Sequence, residues 1–153
     1  MTRELFRNCL RVLGGLVLLA ATAFVLVRYG KTVDWVPTDF APNGLPEAFG
    51  PKEKVFVPLG LGWLIFGLVT VLGFRPKLWK VPRRTPRAMQ AFGDIHPVLG
   101  LVLALYFSWV AVCTVLGRGL GAWCLPVLAA ALALPLLYAL VQSLRGASGK
   151  KGW

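Results

Sequence analysis

His96 is the chain's single histidine, and it follows a carboxylate by two residues in Asp94-Ile95-His96-Pro97. A carboxylate at that spacing favours the protonated imidazole, which makes the pair a candidate proton-sensitive group. The plainer and commoner reading makes Asp94 the N-cap or first-turn acid of a helix, with His96 an interfacial neighbour. Cys9 is expected at a similar membrane depth, but a Cys–His pair supplies too few ligands for a metal site. Cys113 and Cys124 flank a short glycine-rich turn. A disulfide there suits an oxidising compartment. Cysteine also serves as a small apolar residue, and the sequence leaves both open. The carboxylates Glu4, Asp34, Asp39, Glu47, Glu53 and Asp94 form no dyad of suitable spacing, and the chain has no phosphate loop or nucleophile motif. The expectation is a non-enzymatic protein with no catalytic residue, metal or cofactor.

The elements that carry these residues are set by four uncharged runs, Val12–Val27, Val55–Phe74, Ile95–Gly117 and Gly119–Leu144. A helix needs about 20 mostly apolar residues to cross a bilayer core. Three runs meet that length, and the first does so once Cys9, Leu10 and the stem of a snorkelling Arg11 are counted. The pattern predicts helices over about 9–28, 55–74, 95–117 and 120–144. They would form an all-α, four-helix integral membrane bundle filling one domain, 1–153. The small-x-small triplet Ala21-Thr22-Ala23 has the form of a signal-peptide cleavage site, yet apolar residues continue to Val27, so the segment reads as a retained helix. The runs hold no Asp, Glu, Lys or Arg; their polar members include Thr22, Thr70, Ser108, Thr114, Tyr138 and Gln142. That argues against an ion pump or proton-coupled carrier.

The net charge of +11 comes from 17 basic and 6 acidic residues. In a soluble protein it would suggest nucleic acid; its distribution here does not. Arg3, Arg7 and Arg11 precede the first run. Arg75, Lys77, Lys80, Arg83, Arg84 and Arg87 fill the middle connector, and Arg145, Lys150 and Lys151 fill the tail. Arg28, Lys31, Lys52, Lys54 and Arg118 fall to the other side with four of the six acids. Short basic loops stay cytoplasmic, which predicts both termini inside and the 28–54 loop outside, in a bacterial cytoplasmic (inner) membrane. The basic excess also favours anionic lipids as neighbours.

Gly14, Gly15, Gly60, Gly62 and Gly67 suit close helix approach, and Pro135 predicts a kink in helix 4. Gly117-Arg118-Gly119-Leu120-Gly121 is short enough to pair helices 3 and 4 as an antiparallel hairpin. Trp35 and Trp123 are expected at the outer interface and Trp79 at the inner one. Trp63 and Trp109 each lie eight residues from the outer end of their helix, roughly 12 Å deep at helical rise. Their equal depth suggests a shared outer pocket, against the commoner roles of packing and lipid contact.

The loop Asp34–Lys54 is the densest segment. Pro37, Pro42, Pro46, Pro51, Gly44 and Gly50 exclude a long helix, and Asn43-Gly44 is a strong turn pair. With Trp35, Phe40 and Phe49 interleaved, the expectation is a packed surface feature rather than a plain connector. The loop resembles that of small bacterial membrane proteins of unknown function and of the N-terminal part of SdpI-type immunity proteins. That family carries P-x-H-F-x-x-x-G-x-x-D-x-(aromatic)-G-x-K between its first two helices. Pro37, Phe40, Gly44, Glu47, Phe49, Gly50, Lys52 and then Pro58 match it over about 20 positions. Asp39 stands where the family has histidine, so any metal binding or titration by that histidine does not carry over. The resemblance implies the four-helix layout and, in some members, an encounter with a toxin peptide.

Two functions follow as expectations. One is an interaction, immunity-like or accessory-subunit protein. It would bind a protein partner or a second copy through the loop residues Trp35, Pro37, Asp39, Phe40, Gly44, Glu47, Phe49, Gly50 and Lys52. The other is a small transporter or channel subunit for an uncharged solute, using the pocket at Trp63 and Trp109.

Overall fold

A computed structural model of the protein describes residues 2–75 and 86–148. Four helices dominate it: α1 (Arg3–Tyr29), α2 (Phe56–Phe74), α3 (Pro86–Leu116) and α4 (Cys124–Ser148). Each contains a stretch long and apolar enough to cross a membrane. Trp79 and the basic residues Lys77, Lys80, Arg83, Arg84, Lys150 and Lys151 lie outside the described residues.

The helices are organised around α3. Both α1 and α2 pack chiefly on it and only lightly on each other, and α4 packs on α3. On α1 the buried residues Gly14, Leu18, Ala21 and Val25 form one stripe at helical spacing. Ala21 and Val25 join Val55, Leu59, Ala111 and Val115 in a continuous core. Small residues let the backbones approach where lipid tails remove the hydrophobic drive for helix association. A Cβ on Gly14 would stand 2.6 Å from the Phe66 ring, and one on Gly62 would stand 2.9 Å from Phe107 Cβ.

The starts of α1 and α3 lie together at one end of the bundle. Arg7 Nε donates to Asp94 Oδ1 at 2.8 Å, Arg7 Nη2 donates to the Gln90 carbonyl, and Arg3 donates to Gln90 Oε1. A Cβ on Gly93 would stand 2.8 Å from Arg7 Nη2, so that glycine admits the guanidinium. These long-range bonds explain two departures from expectation. The first and third helices start earlier than 9 and 95, because Arg3 and Arg7 are held by the third helix rather than by water. Asp94 is therefore no N-cap: it lies more than two turns inside α3, engaged by Arg7, while His96 Nδ1 sits 2.6 Å from the Phe92 carbonyl. Helix α3 also carries Pro97 in its interior, and α4 carries Pro135.

Asp94→Ala removes the carboxylate and leaves Arg7 charged and part-buried. The pair's side chains are 22% and 29% exposed. The expected loss of about 1–2 kcal/mol therefore sits between the values for surface and fully buried pairs. Thermal unfolding in detergent measures it; a midpoint unchanged from that of the parent would refute the importance of the bond.

Candidate functional site

The other end of the bundle carries the connector that the sequence marks as unusual. After α1, the Thr32 hydroxyl donates to the Arg28 carbonyl and reaches the Val115 carbonyl of α3 at 3.4 Å. The chain then forms an antiparallel hairpin, β1 (Trp35–Phe40) and β2 (Pro46–Pro51), followed by a short 3₁₀ turn, Lys52–Val55, into α2. The hairpin adds strand structure to a chain whose spans were expected to be its only regular elements. Trp35 pairs with Pro51, Val36 with Gly50 and Pro37 with Phe49; the register then slips around Asp39. Prolines are tolerated because a two-stranded ribbon is all edge.

The turn follows from its residues. Gly44 N–H donates to Ala41 O, Ala41 N–H donates to Leu45 O, and Leu45 N–H donates to Asn43 Oδ1. Gly44 has φ +78°, the left-handed conformation that glycine adopts freely. This matches a three-residue hairpin loop with glycine at its bulge position.

The tip is clasped rather than free. Leu120 N–H, in the α3–α4 turn, donates to Gly44 O at 2.8 Å, and Leu120 O accepts from the Trp109 indole at 3.0 Å. One residue thus links the hairpin tip to the body of α3. The contact is backbone on backbone: a Cβ on Gly44 would stand 2.5 Å from Gly121 O, and one on Gly119 would stand 2.7 Å from Gly44 O. Phe40 packs against the buried cluster of Cys113, Leu120 and Cys124, where both cysteines are free thiols.

Beneath the hairpin lies a cavity of about 360 Å³. Pro37, Thr38 and Asp39 form its roof. Lys54, Val57, Pro58 and Leu61 bound it on the α2 side, and Tyr106, Phe107, Val110 and Thr114 on the α3 side. Its walls are mainly apolar, with one acid and one base at the rim. A second, almost wholly apolar cavity of about 300 Å³ lies between α3 and α4, and Tyr106 borders both.

The expected loop residues divide by role. Pro37, Gly44 and Gly50 are buried and build the hairpin, and Phe40 anchors it. Lys52 closes the base: its N–H donates to Asp34 O, and its ammonium lies 3.3 Å from Asp34 Oδ1. Asp39 and Glu47 are exposed, and so are Trp35 (66%) and Phe49 (58%). The pairing makes these two aromatics diagonal neighbours across the strands. No protein-family model matches the chain, nor does any curated protein or solved structure.

Trp63 and Trp109 hydrogen-bond to different elements. The Trp63 indole donates to Thr22 Oγ1 of α1, whereas Trp109 bonds Leu120 O and lies 5.8 Å from the Trp123 ring. Their shared depth says nothing of helix rotation, which the hydrogen-bond partners decide. Lys54, Tyr106, Phe107 and Thr114 also line the cavity beneath the hairpin, although none is among the expected site residues. Phe107 and Thr114 lie seven residues apart on α3, a spacing that puts them on one face. The three glycines of the α3–α4 turn were a signal of close backbone approach. Cys9 is exposed, and among the described residues no group of three His, Cys, Asp or Glu side chains could hold a metal.

Proposed function

We propose that the chain is a non-enzymatic multi-pass membrane protein that binds a protein partner through the hairpin-capped end of its bundle. The observation behind this reading is the clasped hairpin. Its tip is fixed to the α3–α4 turn through Gly44 and Leu120, yet it leaves Trp35 and Phe49 exposed. A rigid ribbon that exposes two aromatics offers the kind of anchor on which interfaces concentrate their energy. The cavity below would take a side chain or segment of the partner. In this reading the likeness to SdpI-type immunity proteins is one of role as well as layout. The basic termini lie in the cytoplasm and the hairpin outside a bacterial inner membrane.

The test is capture from host membranes in mild detergent, with the whole chain as bait. Replacing Trp35 and Phe49 together by alanine is expected to cut retention of a specific partner by roughly tenfold or more, with thermal stability unchanged because both rings are exposed. Failure of the intact chain to retain any partner would overturn the reading. A transporter or channel subunit finds less support. Gly14 against Phe66 and Gly62 against Phe107 fill the space where α1, α2 and α3 meet.

A further inference from the structure

The bundle end remote from the hairpin carries a second feature, independent of the partner site. Helix α1 has 27 residues, roughly 40 Å at helical rise, against about 30 Å for a bilayer core. It is longer than such a core requires, and its charged end is the Arg3 end, where Arg3, Arg7 and Arg11 recur every four residues. Arg7 is neutralised by Asp94. Arg11 makes no ion pair among the described residues. Its guanidinium carbon lies 4.0 Å from the centroid of the Phe74 ring, its Nη1 donates to Asn8 Oδ1 at 2.9 Å, and its buried Nε has no acceptor. A cationic side chain at the edge of an apolar span is costly to keep and marks a site by default.

A cavity of about 220 Å³ opens beside it, between α1 and the end of α2, lined by Glu4, Arg7, Asn8, Arg11, Gly73 and Phe74. Gly73 keeps it open: a Cβ there would stand 3.1 Å from Arg11 Nη2. Asn8 gives its carbonyl oxygen to Arg11, so its amide N–H groups are the donors it can offer an anion. We infer that this cavity binds the phosphodiester headgroup of an anionic phospholipid. Arg11 and Asn8 donate to the phosphate oxygens, Phe74 backs the guanidinium, and the acyl chains run down the α1–α2 face. Glu4 lines the same cavity and opposes an anion. The basic side chains Arg3, Arg7, Arg11 and Arg75 outnumber Glu4 and Asp94 at this end.

The experiment is native mass spectrometry of the whole protein, taken from bilayers of equal phosphatidylglycerol and phosphatidylcholine. The intact chain is expected to retain one phosphatidylglycerol with at least about fivefold preference, the size expected of one basic residue near an anionic surface. Arg11→Gln and Asn8→Asp should each abolish the preference, the second with Arg11 still in place. Arg118→Gln, at the hairpin end, should keep it. Protection of the buried thiols of Cys113 and Cys124 reports that each variant is folded. Unchanged preference in both Arg11→Gln and Asn8→Asp would overturn the site. Displacement of the lipid by millimolar inorganic phosphate alone would overturn its assignment to a headgroup.

Discussion

Gly44→Val is expected to free the hairpin tip from the α3–α4 turn while the helices stay packed. Two effects add. Position 44 has φ +78°, a conformation that costs an L-residue about 1–2 kcal/mol, and a β-branched one more. A Cβ there would also stand 2.5 Å, 2.6 Å and 2.8 Å from the O, C and N atoms of Gly121. These are backbone atoms in a short turn and cannot rotate aside. Separating the two segments breaks the Leu120-to-Gly44 hydrogen bond, worth about 1 kcal/mol net. That bond is given up on opening in the parent as well and so cancels; the strain and backbone overlap relieved on opening, about 3 kcal/mol, raise the open population roughly a hundredfold.

The protein carries its own reporter for that opening. Cys113 and Cys124 are 3% and 5% exposed and share a cluster with Leu120 and the hairpin's Phe40. In a Cys9→Ser background, Gly44→Val should accelerate maleimide labelling of both thiols and abolish partner capture. Gly30→Ala is the control, since nothing lies within 4 Å of a Cβ there. Equal labelling rates in the Gly44→Val variant and its parent would show that the clasp does not hold the cap shut.

The second large effect is expected at Gly62. A side chain here meets Phe107 Cβ at 2.9 Å and Leu18 Cδ2 at 3.0 Å. The leucine tip can turn away, but the Phe107 Cβ is fixed by the α3 backbone. Gly62→Leu must therefore push α2 off α3, which also loosens the contact of both with α1. Overpacking of this kind costs about 3 kcal/mol or more, and in lipid no gain in apolar burial offsets it. The midpoint of unfolding in mixed micelles measures the loss. Gly60→Leu and Gly67→Leu, facing open space on the same helix, should be nearly neutral. If all three variants unfold alike, close packing at Gly62 is not what joins α2 to α3.

The four spans were legible because apolar length alone decides them. Their ends were not. Arg7 and Asp94 are 87 positions apart in the chain, and only their meeting explains why α1 and α3 begin in charged sequence. Asn43-Gly44 announced a turn, and four prolines announced extended backbone. What the turn docks on depended on Leu120 and Gly121, residues no local pattern connects to it. Trp63 and Trp109 show the same limit: depth along a helix can be counted, whereas rotation about its axis is fixed by Thr22 and Leu120, which belong to other elements.

The central place of α3 has a consequence for how the chain is made. As synthesis proceeds, α1 and α2 enter the bilayer before α3 exists, and they share little contact with each other. Until the third span arrives, Arg7 has no Asp94 and the Gly62 face of α2 has no Phe107. The hairpin, already complete, has no turn to close on. The first half of the chain therefore holds only its few α1–α2 contacts, such as Trp63 to Thr22, until α3 is present. Helix α3 supplies the surface that α1 and α2 share, and the turn that follows it supplies the Leu120 N–H that holds the hairpin tip. A chain released before residue 120 would carry every element of the hairpin and none of its anchorage.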